Sequence, residues 1–174
     1  MKPGSKLLSA VVLAVAVPSM SLAAEKHIPE NKVPKAVIEA VKQKYPDAKM
    51  TGFEEEKEGK RTAYEVDVQS GSTEMEVDVT PEGKIISEET RIEEAALPES
   101  VKKAFAASKH GKSKVEKVEK VVVIGKEDSP SYEVAVTEGG KRNEIVFDKD
   151  GKVLHEKKAG KEPRGEAKRE AEKK

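Results

Sequence analysis

The chain has 174 residues, 38% charged, 36% hydrophobic and 3% aromatic, with 33 Lys+Arg against 33 Asp+Glu. That length holds one domain or two small ones, and the balanced charge argues against a strongly basic nucleic-acid binder. The absence of Cys excludes disulfide staples, thiolate zinc ligands, a Cys nucleophile and lipidation of a Cys after leader cleavage.

The N-terminus reads as an address. Met1 to Lys6 carries Lys2 and Lys6 and no acid, and Leu7 to Val17 is an apolar run broken only by Ser9. Pro18 and Ser19 end the run, and Ser21-Leu22-Ala23 offers small residues at both positions a signal peptidase reads. This plan predicts a secretory signal over residues 1–23, cleaved after Ala23 or after Ala24. The apolar run is far short of the roughly 20 residues a membrane span needs, which argues against an uncleaved anchor. A soluble mature protein, periplasmic or secreted, is expected. Residues 1–24 hold two Lys, and residues 157–174 hold eight Lys/Arg and four acids. That leaves 23 bases and 29 acids on residues 25–156, a net charge of −6. The molecule is an acidic body with a basic tail.

The body is one pattern written twice. Val33-Pro34-x-x-Val37 returns as Leu97-Pro98-x-x-Val101, and Tyr64-Glu65-Val66-x-Val68 returns as Tyr132-Glu133-Val134-x-Val136. Glu74-Met75-x-Val77-x-Val79 is loosely echoed by Asn143-Glu144-Ile145-Val146-Phe147, and Gly83-Lys84-Ile85-Ile86 returns as Gly151-Lys152-Val153-Leu154. The offset is 64 at the Pro and 68 from the Tyr onward, which places one short insertion between helix and second strand. After a lead-in over residues 24–32, the spacing divides the chain into a first unit, 33–96, and a second, 97–157. A basic tail, 158–174, is expected to be disordered.

Each unit opens with a helix. Pro34 suits a first helical turn, and Val37, Ile38, Val41 and Tyr45 form an apolar stripe before Pro46 stops it. Pro98, Val101, Ala104 and Phe105 repeat this more weakly up to Gly111. Strands follow, predicted over residues 49–58, 64–69, 74–79 and 84–92, then 115–124, 131–137, 142–147 and 152–156. Their apolar residues alternate with polar ones at period two. Glu58-Gly59-Lys60, Ser70-Gly71-Ser72, Thr80-Pro81-Glu82-Gly83 and Asp150-Gly151 are turn sequences, and such short connections make antiparallel neighbours. Val121–Ile124 is the most apolar strand segment and is expected centrally in its sheet. The expected fold class is α+β: two tandem repeats of one helix followed by a four-stranded antiparallel meander, helices on one face of the sheets. Units of about 60 residues are marginal alone, so the two sheets are expected to abut or run together.

Val-Pro or Leu-Pro at a helix start, Tyr45-Pro46 near its end, Tyr-Glu-Val on the second strand and Gly-Lys before the last strand together resemble the PepSY-like family, also described as beta-lactamase-inhibitor-like. The resemblance covers about residues 30–157 as two copies; the second departs from it, with Ser108-Lys109-His110 in place of the Tyr-Pro region. It implies exported bacterial proteins that bind or inhibit envelope enzymes without catalysis. It carries no functional residues across.

No catalytic residue, cofactor or bound metal is expected. His27, His110 and His155 have no partner His or Cys at ligand spacing. Asp148-Lys149-Asp150-Gly151 begins like a calcium loop and fails at Lys152, Val153 and Ala159. Alternation places Glu65, Asp67, Glu74, Glu76 and Asp78 on one sheet face, with Glu54 or Glu56 beside them. This strip is a candidate docking face for a basic partner or a weak divalent-cation surface, set against an ordinary solvated face that resists aggregation. Phe53 is the one aromatic residue that the core pattern leaves free, a candidate exposed anchor. The tail either touches anionic envelope surface or keeps the end of the chain soluble. The expected function is a non-enzymatic exported module that contacts an unidentified envelope or secreted protein through an exposed sheet face, with inhibition or regulation of that protein left open. The alternative is a cation-handling or envelope-associated structural protein.

Overall fold

Pro34 and Pro98, with φ of −56° and −55°, cap the starts of two helices, α1 (Lys35–Lys44) and α2 (Glu99–Ala107). A Pro there fixes φ near the helical value and gives up only an N–H that would lack an intrahelical partner. α1 buries Val37 and Val41, one turn apart, and α2 buries Val101 and Phe105 at the same spacing. The computed structural model describes residues 26–58 and 61–158. The predicted secretory signal and, apart from Lys158, the predicted basic tail therefore lie outside the described residues, as do Gly59 and Lys60.

The strands are β1 (Lys26–His27), β2 (Lys49–Glu58), β3 (Arg61–Ser70), β4 (Thr73–Val79), β5 (Ile85–Arg91), β6 (Lys114–Val123), β7 (Ser131–Glu138), β8 (Lys141–Asp148) and β9 (Val153–Lys158). They form one antiparallel sheet in sequence order, β1 to β9. β1 falls in the predicted lead-in and was not anticipated; two residues carry no period, and only their pairing with Glu54 and Glu55 of β2 defines it. The question of abutting or continuous sheets is answered at the centre. Ser87–Arg91 of β5 pairs with Glu119–Val123 of β6, extended by Ile92 N–H to Val118 O at 2.9 Å and Ile124 N–H to Ile86 O at 2.8 Å.

The interior consists of two clusters. Val33, Val37 and Val41 pack with Tyr64, Val66, Val68, Val77 and Val79. Leu97, Val101 and Phe105 pack with Val118, Val134, Val136, Ile145 and Phe147. At roughly 1.5–3 kcal/mol for each fully buried aliphatic side chain, these clusters are the main favourable term. Ladder irregularities recur at matching places: Met50/Gly52 in β2 and Val115/Lys117 in β6, Asp78/Val79 in β4 and Val146/Phe147 in β8. The apolar segment Val121–Ile124 does not behave uniformly. Its valines run through β6, near the middle of the sheet, but are only half-buried, and Ile124 lies past the strand end and is exposed.

Candidate binding face

Residues opposite each other in an antiparallel ladder share a face. One such row runs Asp67, Glu76, Glu89, Val121, Ser131 from β3 to β7. The next runs Glu54, Glu65, Asp78, Ser87, Val123, and another runs Arg91, Glu119, Glu133. None of these residues belongs to either core cluster. The five predicted carboxylates, Glu65, Asp67, Glu74, Glu76 and Asp78, all fall on this face. The sequence pattern missed its continuation: Glu89, Glu119 and Glu133 carry the strip across the junction of β5 and β6.

The face is not a uniformly wet surface. Glu74 is exposed and is met by Arg91, Nη1 to Oε2 at 3.2 Å. Glu65, Asp67 and Glu76 are half-buried, and Asp78 is 2% exposed. The Ser87 hydroxyl donates to Asp78 Oδ2 at 2.5 Å. Lys117, on β6, holds its ammonium 2.9 Å from Glu76 Oε1 and 2.8 Å from Glu119 Oε2, so one cation bridges the two halves of the sheet. At the far ends His27 Nδ1 lies 3.1 Å from Glu54, and Arg142 Nη2 lies 3.0 Å from Glu144.

This crowding changes the acidities. Burial raises Glu65 well above the usual carboxylate range, and the charges of Glu76, Asp78, Glu56 and Glu89 raise it further. Glu89 is raised likewise by burial and then by Glu133, Asp78, Glu119 and Glu76. Glu119 is pushed up to about 7 by burial and by Glu76, against the opposing pull of Lys117 and Arg142. Burial works against the Lys117 ammonium, but Glu76 and Glu119 outweigh it and hold its proton more firmly than usual. Two sets of carboxylate oxygens converge within 4.8 Å of one another: Glu65, Asp67 and Glu76, and Glu76, Glu89 and Glu119. Such a set of acids with one ammonium among them creates a negative potential that can attract cationic groups.

Phe53 departs from its expected role. It stands opposite Val66 and is half-buried against the first core cluster, because alternation along β2 sends it away from the carboxylates of Glu54 and Glu56. The chain has three Tyr, three Phe and no Trp. All six aromatic residues lie in or against the two cores. His110, in the loop after α2, is buried at 4% exposure against Glu138 and Glu156. His155 stands opposite Val146, on the carboxylate side of β9.

The sequence profile of the family described as beta-lactamase-inhibitor-like, PepSY-like, matches residues 21–87 and again 87–155. The chain belongs to the PepSY-like family. A BLIP-like protein from Bacteroides fragilis shares 28% identity with this PepSY-like chain over 74% of it and 88% of that protein, with a TM-score of 0.53. Two further crystal structures share the fold. One, from Bacteroides eggerthii and described as a presumed periplasmic protein, is 24% identical, covers 72% of this chain and 88% of that one, and has a TM-score of 0.59. The other, a DUF2874 family protein from Bacteroides uniformis, is 21% identical over the same shares, with a TM-score of 0.58. No curated protein matches the PepSY-like chain. No described helix is long and apolar enough to cross a membrane.

Proposed function

We propose that this chain is a non-enzymatic, exported binding module: a tandem repeat with both helices on one face of the sheet and its carboxylate face offered to a basic protein surface. The family description and the BLIP-like relative support protein binding without catalysis. The apolar leader supports export to the periplasm or beyond. Recurrence of the proline caps and ladder irregularities supports duplication. Placement of both helices' buried residues with sheet residues outside the carboxylate rows supports the single helix face.

The observation that carries the docking reading is the convergence of Glu65 and Glu89 with neighbouring carboxylates, where burial and those acids raise both well above the usual range. A docking Lys or Arg would relieve that repulsion. With every aromatic residue committed to a core, such docking rests on charge, which favours fast, salt-sensitive association over tight inhibition. The converging oxygens of Glu76, Glu89 and Glu119 favour a second reading, divalent-cation binding.

The test is capture from an envelope extract at low and high salt, with wild type and with Glu65→Lys, Asp67→Lys and Glu76→Lys combined. Docking requires a discrete protein that salt weakens and the variant loses while keeping its circular dichroism. A partner retained by the variant overturns the assignment of the face. No partner, together with a calcium-dependent rise in melting temperature that the variant abolishes, selects the cation reading.

A further inference from the structure

Both halves tie the end of their helix to one Glu on their last strand, and they do so with different chemistry. In the first half the Lys44 ammonium pairs with Glu88, and the Tyr45 hydroxyl hydrogen-bonds the same carboxylate. In the second half the equivalent acid, 68 residues on, is Glu156. Lys109 Nζ lies 2.6 Å from Glu156 Oε1, and His110 Nε2 lies 3.2 Å from the same oxygen. The other ring nitrogen of His110, Nδ1, lies 2.9 Å from Glu138 Oε1 at the β7–β8 hairpin.

We infer that His110 is a proton-gated tie, holding the end of α2 to the β7–β8 hairpin and to the terminal strand β9 while its ring is charged and releasing them when the ring loses its proton. Both ring nitrogens face carboxylate oxygens. A neutral imidazole has one N–H and one lone pair, so it satisfies only one of the two acids and sets its lone pair against the other. The imidazolium donates to both. The side chain is 5% exposed, so water does not readily replace a lost partner.

The surroundings fix the direction. The loop after α2 supplies Lys109, the Ser108 hydroxyl, which accepts the His110 N–H at 3.1 Å, and the Ser113 hydroxyl, which donates to Glu138. β8 supplies Lys141, the ladder partner of Glu138. Burial alone would lower the pKa of His110, but its hydrogen bonds and attraction to Glu138 and Glu156 outweigh burial and raise it. Glu138 is lowered chiefly by Ser113 and His110, and Glu156 by Lys109 and His110. A raised imidazole value means that the tie is fully present below the ordinary value of about 6.5 and is lost as pH rises through the folded value. The lowered carboxylates keep the tie intact on mild acidification. The first half has no such gate: Lys and Tyr ordinarily lose protons near pH ~10, and Tyr45 is raised further.

The experiment is carried out on the full chain. The imidazole of His110 is titrated by NMR, and amide exchange of Leu154–Glu156 and residues 110–113 is followed across the same pH range, corrected for intrinsic exchange. The expected result is a doubly protonated ring that persists above pH ~6.5. Protection of β9 should then fall as His110 deprotonates, by about tenfold for each unit of its elevation. Glu138→Gln should move the titration downward, and His110→Gln should remove the pH dependence of β9 protection. A wild-type His110 titrating at or below the ordinary imidazole value overturns the inference, as does β9 protection that stays constant through the titration.

Discussion

Gly83 and Gly151 show how a single residue sets the distance between helix and sheet. Each has φ of +86°, and a Cβ built on Gly83 would lie 2.7 Å from Ala36 O, while one on Gly151 would lie 2.6 Å from Ser100 O. The last hairpin turn of each half therefore presses against the first turn of its helix, and both the backbone conformation and the space demand glycine. Gly139 separates the two effects: its φ is +57° and nothing lies within 4 Å of a built Cβ. Gly139→Ala is expected to cost only the left-handed penalty, about 1–2 kcal/mol. Gly83→Ala and Gly151→Ala should add an overpacking cost of about 1–3 kcal/mol. Urea midpoints of the three variants check the ranking, and equal losses would show that the close approach has no energetic weight. The Gly-Lys repetition made these two turns legible in the sequence; the contact with the helix was not, because it joins residues far apart in the chain. Phe53 differs for a local reason: with Glu54 and Glu56 on the carboxylate face, alternation already sends Phe53 to the core side, where the ladder sets it opposite Val66.

Among the elements, strands and helices were legible because period-two alternation, proline caps and turn residues all act locally. Every predicted strand is present within a few residues at either end. The pairing of β5 with β6 was not legible, since the intervening helix and loop leave no local signal of register. That one pairing joins the five predicted acids, and Glu89 beside Glu76 on β5, to Glu119 and Glu133. It also makes a mechanical claim. The two core clusters share no residue, so the β5–β6 ladder is the main structure that couples them. Val122→Pro removes a donor from a strand paired on both sides and should cost about 3 kcal/mol or more. Because Val122 belongs to neither cluster, both cores should survive. Urea unfolding of this variant, followed by far-UV dichroism and by amide exchange in each half, is expected to split into two transitions. A single transition at a lower midpoint would mean that the halves are coupled by more than their shared ladder.

For the molecule as a whole, the carboxylate face imposes an unusual pH dependence. Glu65, Glu89 and Glu119 have folded pKa values above their unfolded ones, so the folded state holds more protons than the unfolded chain once pH exceeds about 4.5. Unfolding free energy then falls as pH rises. Glu119 alone, raised from 4.5 to about 7, accounts for about 3 kcal/mol across that interval. The raised His110 acts in the same direction at higher pH. Glu55, Glu127, Glu138 and Glu156 are lowered, so their contribution is present at neutral pH and is lost only as pH falls through the acid range. Maximum stability is therefore expected on the mildly acidic side, with a higher melting temperature at pH ~5.5 than at pH ~8. Glu65→Gln combined with Glu89→Gln should raise the melting temperature more at the higher pH than at the lower, because burial and neighbouring acids disfavour the ionised carboxylates. Calorimetry at the two values checks this, and a profile that rises or stays flat toward the alkaline side would mean that the face is solvated well enough to carry its charge freely. The same repulsion that costs stability underlies the proposed docking: a basic surface laid across the face would displace protons, so proton uptake on folding and proton release on such docking would share one physical origin.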